Sequence, residues 1–133
     1  MSETILTTLP HREPTLRLVA MPSDSNFSGD VFGGWVMSQV DIAGSICAAS
    51  RARGRVVTVA VNAFVFKQPL FIRDVVSLYA EIVKVGRTSI TVNVEVYSQR
   101  DPVKPICAKV TEATLTFVAV DENRKPRVVP PAE

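Results

Sequence analysis

Two periodicities divide the chain. From about Phe32 to Arg53 apolar residues recur at helical spacing, with Val36, Val40, Ala43 and Cys47 on one stripe. Gly34, Met37, Ser38, Asp41 and Ser45 form a second stripe of mostly small and polar groups. Beyond Gly54 the period falls to two. "RVVTVAVNAFVFKQ" is rich in β-branched and aromatic residues and stops before Pro69, which predicts a strand. "DVVSLYAEIVKV" and "TSITVNVEVYSQ" predict a hairpin around Gly86. In its second arm Ile90, Val92, Val94 and Val96 alternate with Thr91, Asn93, Glu95 and Tyr97, setting one buried face against one wetter face. "DPVK" predicts a turn and "PICAKVTEATLTFVAV" a long last strand.

On the N-terminal side, "TLRLVAMP" (Thr15–Pro22) predicts a short strand stopped by Pro22, which cannot donate to a ladder. "SDSNFSGD" is dense in residues whose side chains bond their own backbone, so it reads as a loop. Asp30 is placed as the cap of the helix start, or near it, and Gly54 to end the helix in a left-handed conformation. The order is one strand, one long helix, then four strands. Helices and strands do not alternate, which argues against a doubly wound parallel sheet and for an α+β layout with a sheet curled around one helix. Residues 1–133 read as one domain, with 1–12 and 122–133 as surface extensions.

Composition narrows the classes. Hydrophobic residues are 47% and charged ones 21%, the balance of a chain with a packed core. At this length folding buries roughly two thirds of the unfolded surface, so neither disulfide nor metal is required. A net charge of +2 gives no reason to expect nucleic acid or a membrane surface as partner. Cys47 and Cys107 lie in apolar pattern and read as reduced core residues. Val31–Ser50 approaches the length of a membrane span but contains Gln39, Asp41, three serines and three glycines, so it is not read as one. No basic-then-apolar export signal opens the chain, and a cytoplasmic location is expected.

Asp41 is the only formal charge in that helical segment. An ionised carboxylate removed from water without a partner costs several kcal/mol, so the group is paired, exposed or used. Two readings stand: a carboxylate satisfied by nearby hydroxyl or amide groups, or a general base or nucleophile acting on an acyl carbon. Gly33 and Gly34 also carry two readings. They allow tight packing of the loop, or they let a carbonyl approach first-turn N–H groups that have no intrahelical acceptor and so form an oxyanion hole. Gly34 and Asp41 are seven residues apart, about 10.5 Å along a helix, whereas one reacting carbonyl must lie about 3 Å from both groups. Two antiparallel helices of a symmetric dimer meet that requirement, with Asp41 of one facing Gly34 of the other.

The stretches "MPSDSNFSGDVFGGWVMSQVDIAGSICA", "GRVVTVAVNAFVFKQPLFIRDVV" and "KVGRTSI" resemble the short-chain acyl-CoA thioesterases of the YciA type, in the hotdog superfamily, over about residues 15–130. The resemblance implies a curved antiparallel sheet of about five strands wrapped around one long central helix, a homodimer as minimal active unit and a trimer of dimers. It implies hydrolysis of acyl-CoA to a free acid and CoA, with no cofactor and no metal. The family's essential acid falls on Asp41 and its helix-start glycines on Gly33 and Gly34. Relatives often carry Asn where this chain has Ser28 and an acid where it has Asn62, which bears on rate or chain-length preference.

Around these residues stand the candidates for binding substrate. Gln39, Thr58 and Ser45 are placed to orient the acid or a water. Gly86 lets the pantetheine arm lie on backbone while Arg87, Thr88 and Ser89 offer donors; the plainer reading is a hairpin turn with a solvated arginine. Arg51, Arg53 and Arg55 suit the negative end of the helix dipole or, alternatively, the phosphates of CoA. Lys67 has the same two readings. Phe32 and Trp35 either wall an acyl pocket or pack at a dimer interface, and Asn26 and Asn62 complete the set. A binding protein without turnover remains the second function reading, separable because it would not need Asp41. A dehydratase is a third, disfavoured because the single histidine, His11, lies outside the core pattern.

Overall fold

In the computed structural model, which describes residues 6–133, helix α1 spans Gly33–Ala52 and buries Val36, Val40, Ala43, Gly44, Ala48 and Ala52. The predicted stripe is therefore the packed one, with Cys47 at its half-buried margin. Strands β1 (Leu16–Val19), β2 (Val56–Phe66), β3 (Val75–Val85), β4 (Ser89–Arg100) and β5 (Ile106–Ala119) form one antiparallel sheet in the order β1-β3-β4-β5-β2. The helix touches β2, β3, β4 and β5, so the sheet packs against it with four of its five strands. Ile90, Val92, Val94, Val96, Leu115 and Phe117 are fully buried beneath it, each contributing about 1.5–3 kcal/mol by leaving water. Gly44 sets the distance of approach, because a Cβ there would stand 2.9 Å from the ring of Phe117.

Two expectations at the helix ends are corrected. The residue before the first turn is Phe32, not Asp30, and no side chain caps it. Asp30 instead donates its N–H to Asn26 Oδ1 at 3.1 Å, within a loop closed by Asn26. At the other end the left-handed residue is Arg53 (φ 54°, ψ 45°), one position before Gly54. The last carbonyls are satisfied by Gly54 N–H on Ala49 and by Arg127 Nη2 on Ala52 at 2.8 Å. At Gly54 the missing Cβ leaves room for the Arg127 guanidinium, which would lie 2.7 Å from it.

The C-terminal extension runs over the surface but is anchored. Arg127 N–H bonds Ala119, Val129 N–H bonds Arg87, and the Val129 side chain enters the core. On the face of the sheet away from the helix, Glu95 accepts Lys109 at 2.8 Å and Tyr97 Oη at 3.0 Å. Burial, with Glu95 accepting its hydroxyl, pushes Tyr97 up to about 12. Arg73, between β2 and β3, is left-handed at φ 72° with its N–H on Ala20. A side chain there costs about 1 kcal/mol more than glycine. Arg73→Gly is therefore expected to raise the unfolding free energy by about 0.5 kcal/mol after glycine's larger unfolded-state entropy is subtracted. The check is the urea midpoint at unchanged slope.

Candidate active site

Asp41 lies on the part of α1 not covered by the sheet and among the described residues has one hydrogen-bond partner, Thr58, whose Oγ1 donates to Asp41 Oδ1 at 2.6 Å. Thr58 sits beside a bulge in the β2–β5 pairing, where register shifts between Thr58 and Ala60. The extra residue re-aims the strand locally. One carboxylate oxygen is thereby held, and the other has no partner among the described residues. Of the three residues expected to orient the acid, the structure brings only Thr58 to it. Ser45 Oγ is turned back onto the Ile42 carbonyl at 2.8 Å, and Gln39 stands half-buried on the helix without a bond to Asp41.

At the start of α1 the amides of Gly33 and Gly34 find no backbone acceptor among the described residues. Nothing lies within 4 Å of where a Gly34 Cβ would be, whereas one on Gly33 would stand 3.4 Å from the Phe66 ring. These donors and Asp41 share one helix, so a single protomer does not converge them on one carbonyl. A cleft of about 400 Å³ opens beside Gly33, with Val31, Val36 and Leu70 as apolar walls and Asn26, Asp30 and Lys67 among its polar groups.

The structure sorts the remaining candidates. Asn26 and Lys67 join Gly33 in this cleft, Lys67 Nζ lying 3.9 Å from Glu112. Phe32 is exposed beside it, while Trp35 packs half-buried against the core and does not line it. Asn62 is exposed on β2. Gly86, Arg87, Thr88 and Ser89 form the β3–β4 turn, remote from the cleft; Thr88 and Arg87 carbonyls accept Ala119 and Val129 N–H groups. Among the three arginines at the helix end, Arg51 is committed to the Pro130 carbonyl and Arg53 to Glu133. Arg55 and Arg87 are exposed, without an ion pair among the described residues. They stand on either side of the end of β5, two strand spacings or about 10 Å apart. Burial pushes the thiols of Cys47 and Cys107 up, away from the thiolate a nucleophile needs.

Sequence reasoning missed Asp74 and Arg100. Asp74 is 2% exposed and pairs with Arg100 through both carboxylate oxygens. The available signal was an acid set directly before an apolar run in "FIRDVV".

An antiparallel sheet wrapped around one helix, with a helix-borne carboxylate held by a strand hydroxyl, defines a hotdog-fold hydrolase scaffold. The family model of the thioesterase superfamily matches residues 28–104, more than half of the chain, and the chain belongs to that superfamily. It is 48% identical over 129 residues to the acyl-CoA thioester hydrolase YciA of Salmonella typhimurium, covering 96% of this chain and 97% of that one. A hexameric thioesterase from Yersinia pestis superposes with a TM-score of 0.86 at 48% identity, covering 93% of this chain and 100% of that one. An acyl-CoA hydrolase from Staphylococcus aureus, solved with butyryl-CoA and CoA, superposes with a TM-score of 0.80 at 28% identity, covering 89% and 71%. That enzyme was also solved with an aspartate and, separately, a threonine changed to alanine, positions separated like Asp41 and Thr58 by 17 residues.

A prediction follows from the Asp41–Thr58 bond. A hydrogen bond to a charged group is worth about 1.5–3 kcal/mol. Thr58→Val is expected to lower kcat about tenfold or more, and Thr58→Ser to retain most of it. Initial rates of thiol release for both variants test this; equal rates would show that the hydroxyl only packs.

Proposed function

We propose that this chain hydrolyses acyl-CoA thioesters to a carboxylic acid and CoA, at sites shared between two subunits of a homo-oligomer. The observation that carries the reading is the Asp41 carboxylate, held by Thr58 on one oxygen with the other left to react. The thioester carbonyl oxygen sits on the Gly34 amide, joined by that of Gly33, of one subunit. Asp41 Oδ2 of the other takes a proton from water as the water oxygen adds to the carbonyl carbon. The resulting oxyanion is held by the helix-start amides, which have no backbone acceptor among the described residues and carry the positive end of the helix dipole. Collapse breaks the C–S bond; the thiolate of CoA leaves and takes up the proton held by Asp41.

The shared site needs an interface, and edge strand β2 supplies an apolar one. Val57, Val59, Val61, Val65 and Phe66 are all exposed on it. A long edge strand with that much uncovered apolar surface is a template for pairing. Pairing two copies through it and through the exposed helix faces gives the dimer; three dimers give the hexamer stated for the Yersinia neighbour. The acyl chain enters the cleft beside Gly33, while Arg87 and Arg55 lie toward the phosphates of CoA. Among the described residues no helix is long and apolar enough to cross a membrane.

The test is thiol release from acyl-CoAs of increasing chain length, with light scattering on the same preparation. Turnover by a particle with the mass of six protomers supports the reading. Tight binding of CoA esters without thiol release would overturn it in favour of a binding protein.

A further inference from the structure

Helix α1 begins without a side-chain cap, so the direction of the Gly33 and Gly34 amides is set by backbone contacts, among them Phe32 N–H on the Asp24 carbonyl at 2.9 Å. The backbone leading into it is also laid on the turn between β2 and β3. Val31 N–H donates to the Leu70 carbonyl at 2.8 Å, and Asp30 forms an antiparallel bridge with Phe71. That turn is gripped from behind by Asp74. Its Oδ2 accepts the Phe71 N–H at 3.0 Å and Arg100 Nη2 at 2.9 Å, and its Oδ1 accepts Arg100 Nε at 3.2 Å. The Arg100 guanidinium also lies 4.7 Å over the Phe71 ring and reaches the Pro69 carbonyl at 3.5 Å. One ion pair, its carboxylate buried and its guanidinium partly exposed, thus holds the turn at three points: two backbone groups and a ring.

We propose that Asp74 and Arg100 are positioning residues for thioester hydrolysis. They fix the turn around residues 69–74 and, through Leu70 and Phe71, the backbone of Asp30 and Val31. The amides of Gly33 and Gly34 then stay aimed at the carbonyl oxygen as charge develops on it. The inference rests on the oxyanion-hole reading of those amides. Donors of this kind act in the transition state more than on bound substrate, so loosening them lowers kcat and leaves KM nearly unchanged. A pair that served stability alone would lower Tm without changing kcat of the folded enzyme.

The experiment compares full-length wild type with Arg100→Lys, Asp74→Asn and a core control, Leu115→Ala, well below every Tm. Lysine keeps the charge but neither the two-pronged contact nor the flat stacking on Phe71. Arg100→Lys is expected to lose about tenfold in kcat with KM within about twofold, and Leu115→Ala to keep kcat despite its lower Tm. If Asp74→Asn does not fold, Arg100→Lys carries the comparison alone. Wild-type kcat in Arg100→Lys, or a loss no larger than that of a core control with equal Tm, overturns this inference and leaves the thioesterase reading intact. A wild type that hydrolyses no acyl-CoA overturns both.

Discussion

Asp41→Asn is expected to leave a folded, assembled protein whose kcat for acyl-CoA hydrolysis is about 10³-fold lower, within the range lost with a general base. The substitution is nearly isosteric, and its amide oxygen still accepts the Thr58 hydroxyl that now meets Asp41 at 2.6 Å. What it removes is the negative charge and the basic oxygen. Because the helix packs through Val36, Val40 and Ala43 on its other side, the core is untouched. Thiol release, circular dichroism and light scattering on one preparation separate chemistry from folding. Activity within about tenfold of wild type would make Asp41 a structural partner of Thr58 and would leave the carbonyl without a base.

A mixed oligomer is expected to recover activity that neither parent has. Gly34→Pro deletes one N–H in the first helical turn, where proline is tolerated, and nothing lies within 4 Å of the position its Cβ takes. Alone it should cost about 10²–10³ in kcat, the usual loss for one oxyanion donor. In a heterodimer of Gly34→Pro with Asp41→Asn, one site receives both defects and the other receives neither. Equimolar random mixing should therefore restore about a quarter of wild-type activity, since half the dimers carry one intact site of two. Co-refolding the two variants and following thiol release tests this. No recovery in verified heterodimers would place both groups in the site of a single subunit, against the distance that separates them along α1.

The strands, the helix and their order along the chain were legible because the signals that specify them are local, whereas the place of β2 beside β5 rests on pairing between distant segments. Alternation from Ile90 to Val96 marks which side of β4 faces inward, and each inward residue is buried. The helix ends were misread for the same reason. Asp30 has the chemistry of a cap, but its backbone is taken by Asn26 and by the bridge to Phe71, so the chain turns helical two residues later. Gly54 has the conformational freedom of a terminator, but Arg53 takes the left-handed position. The extension after Asp121 looked like a polar tail, and its anchors, among them Arg127 and Val129, reach partners far away in sequence.

The sequence by itself determined the elements, their order and the residue whose chemistry is out of place, because periodicity and turn preference act between near neighbours. It placed Thr58 beside Gln39 and Ser45 as candidates to orient Asp41 or a water but did not choose among them. Only the tertiary structure decided that Thr58, beside a bulge in β2, meets Asp41 while Ser45 turns away. It alone showed that an uncapped helix start is held by a turn gripped by Asp74 and Arg100. Which side chains share a face is fixed by the period of their own element. Which of them meet across elements depends on register, and one extra residue in a strand is enough to change it.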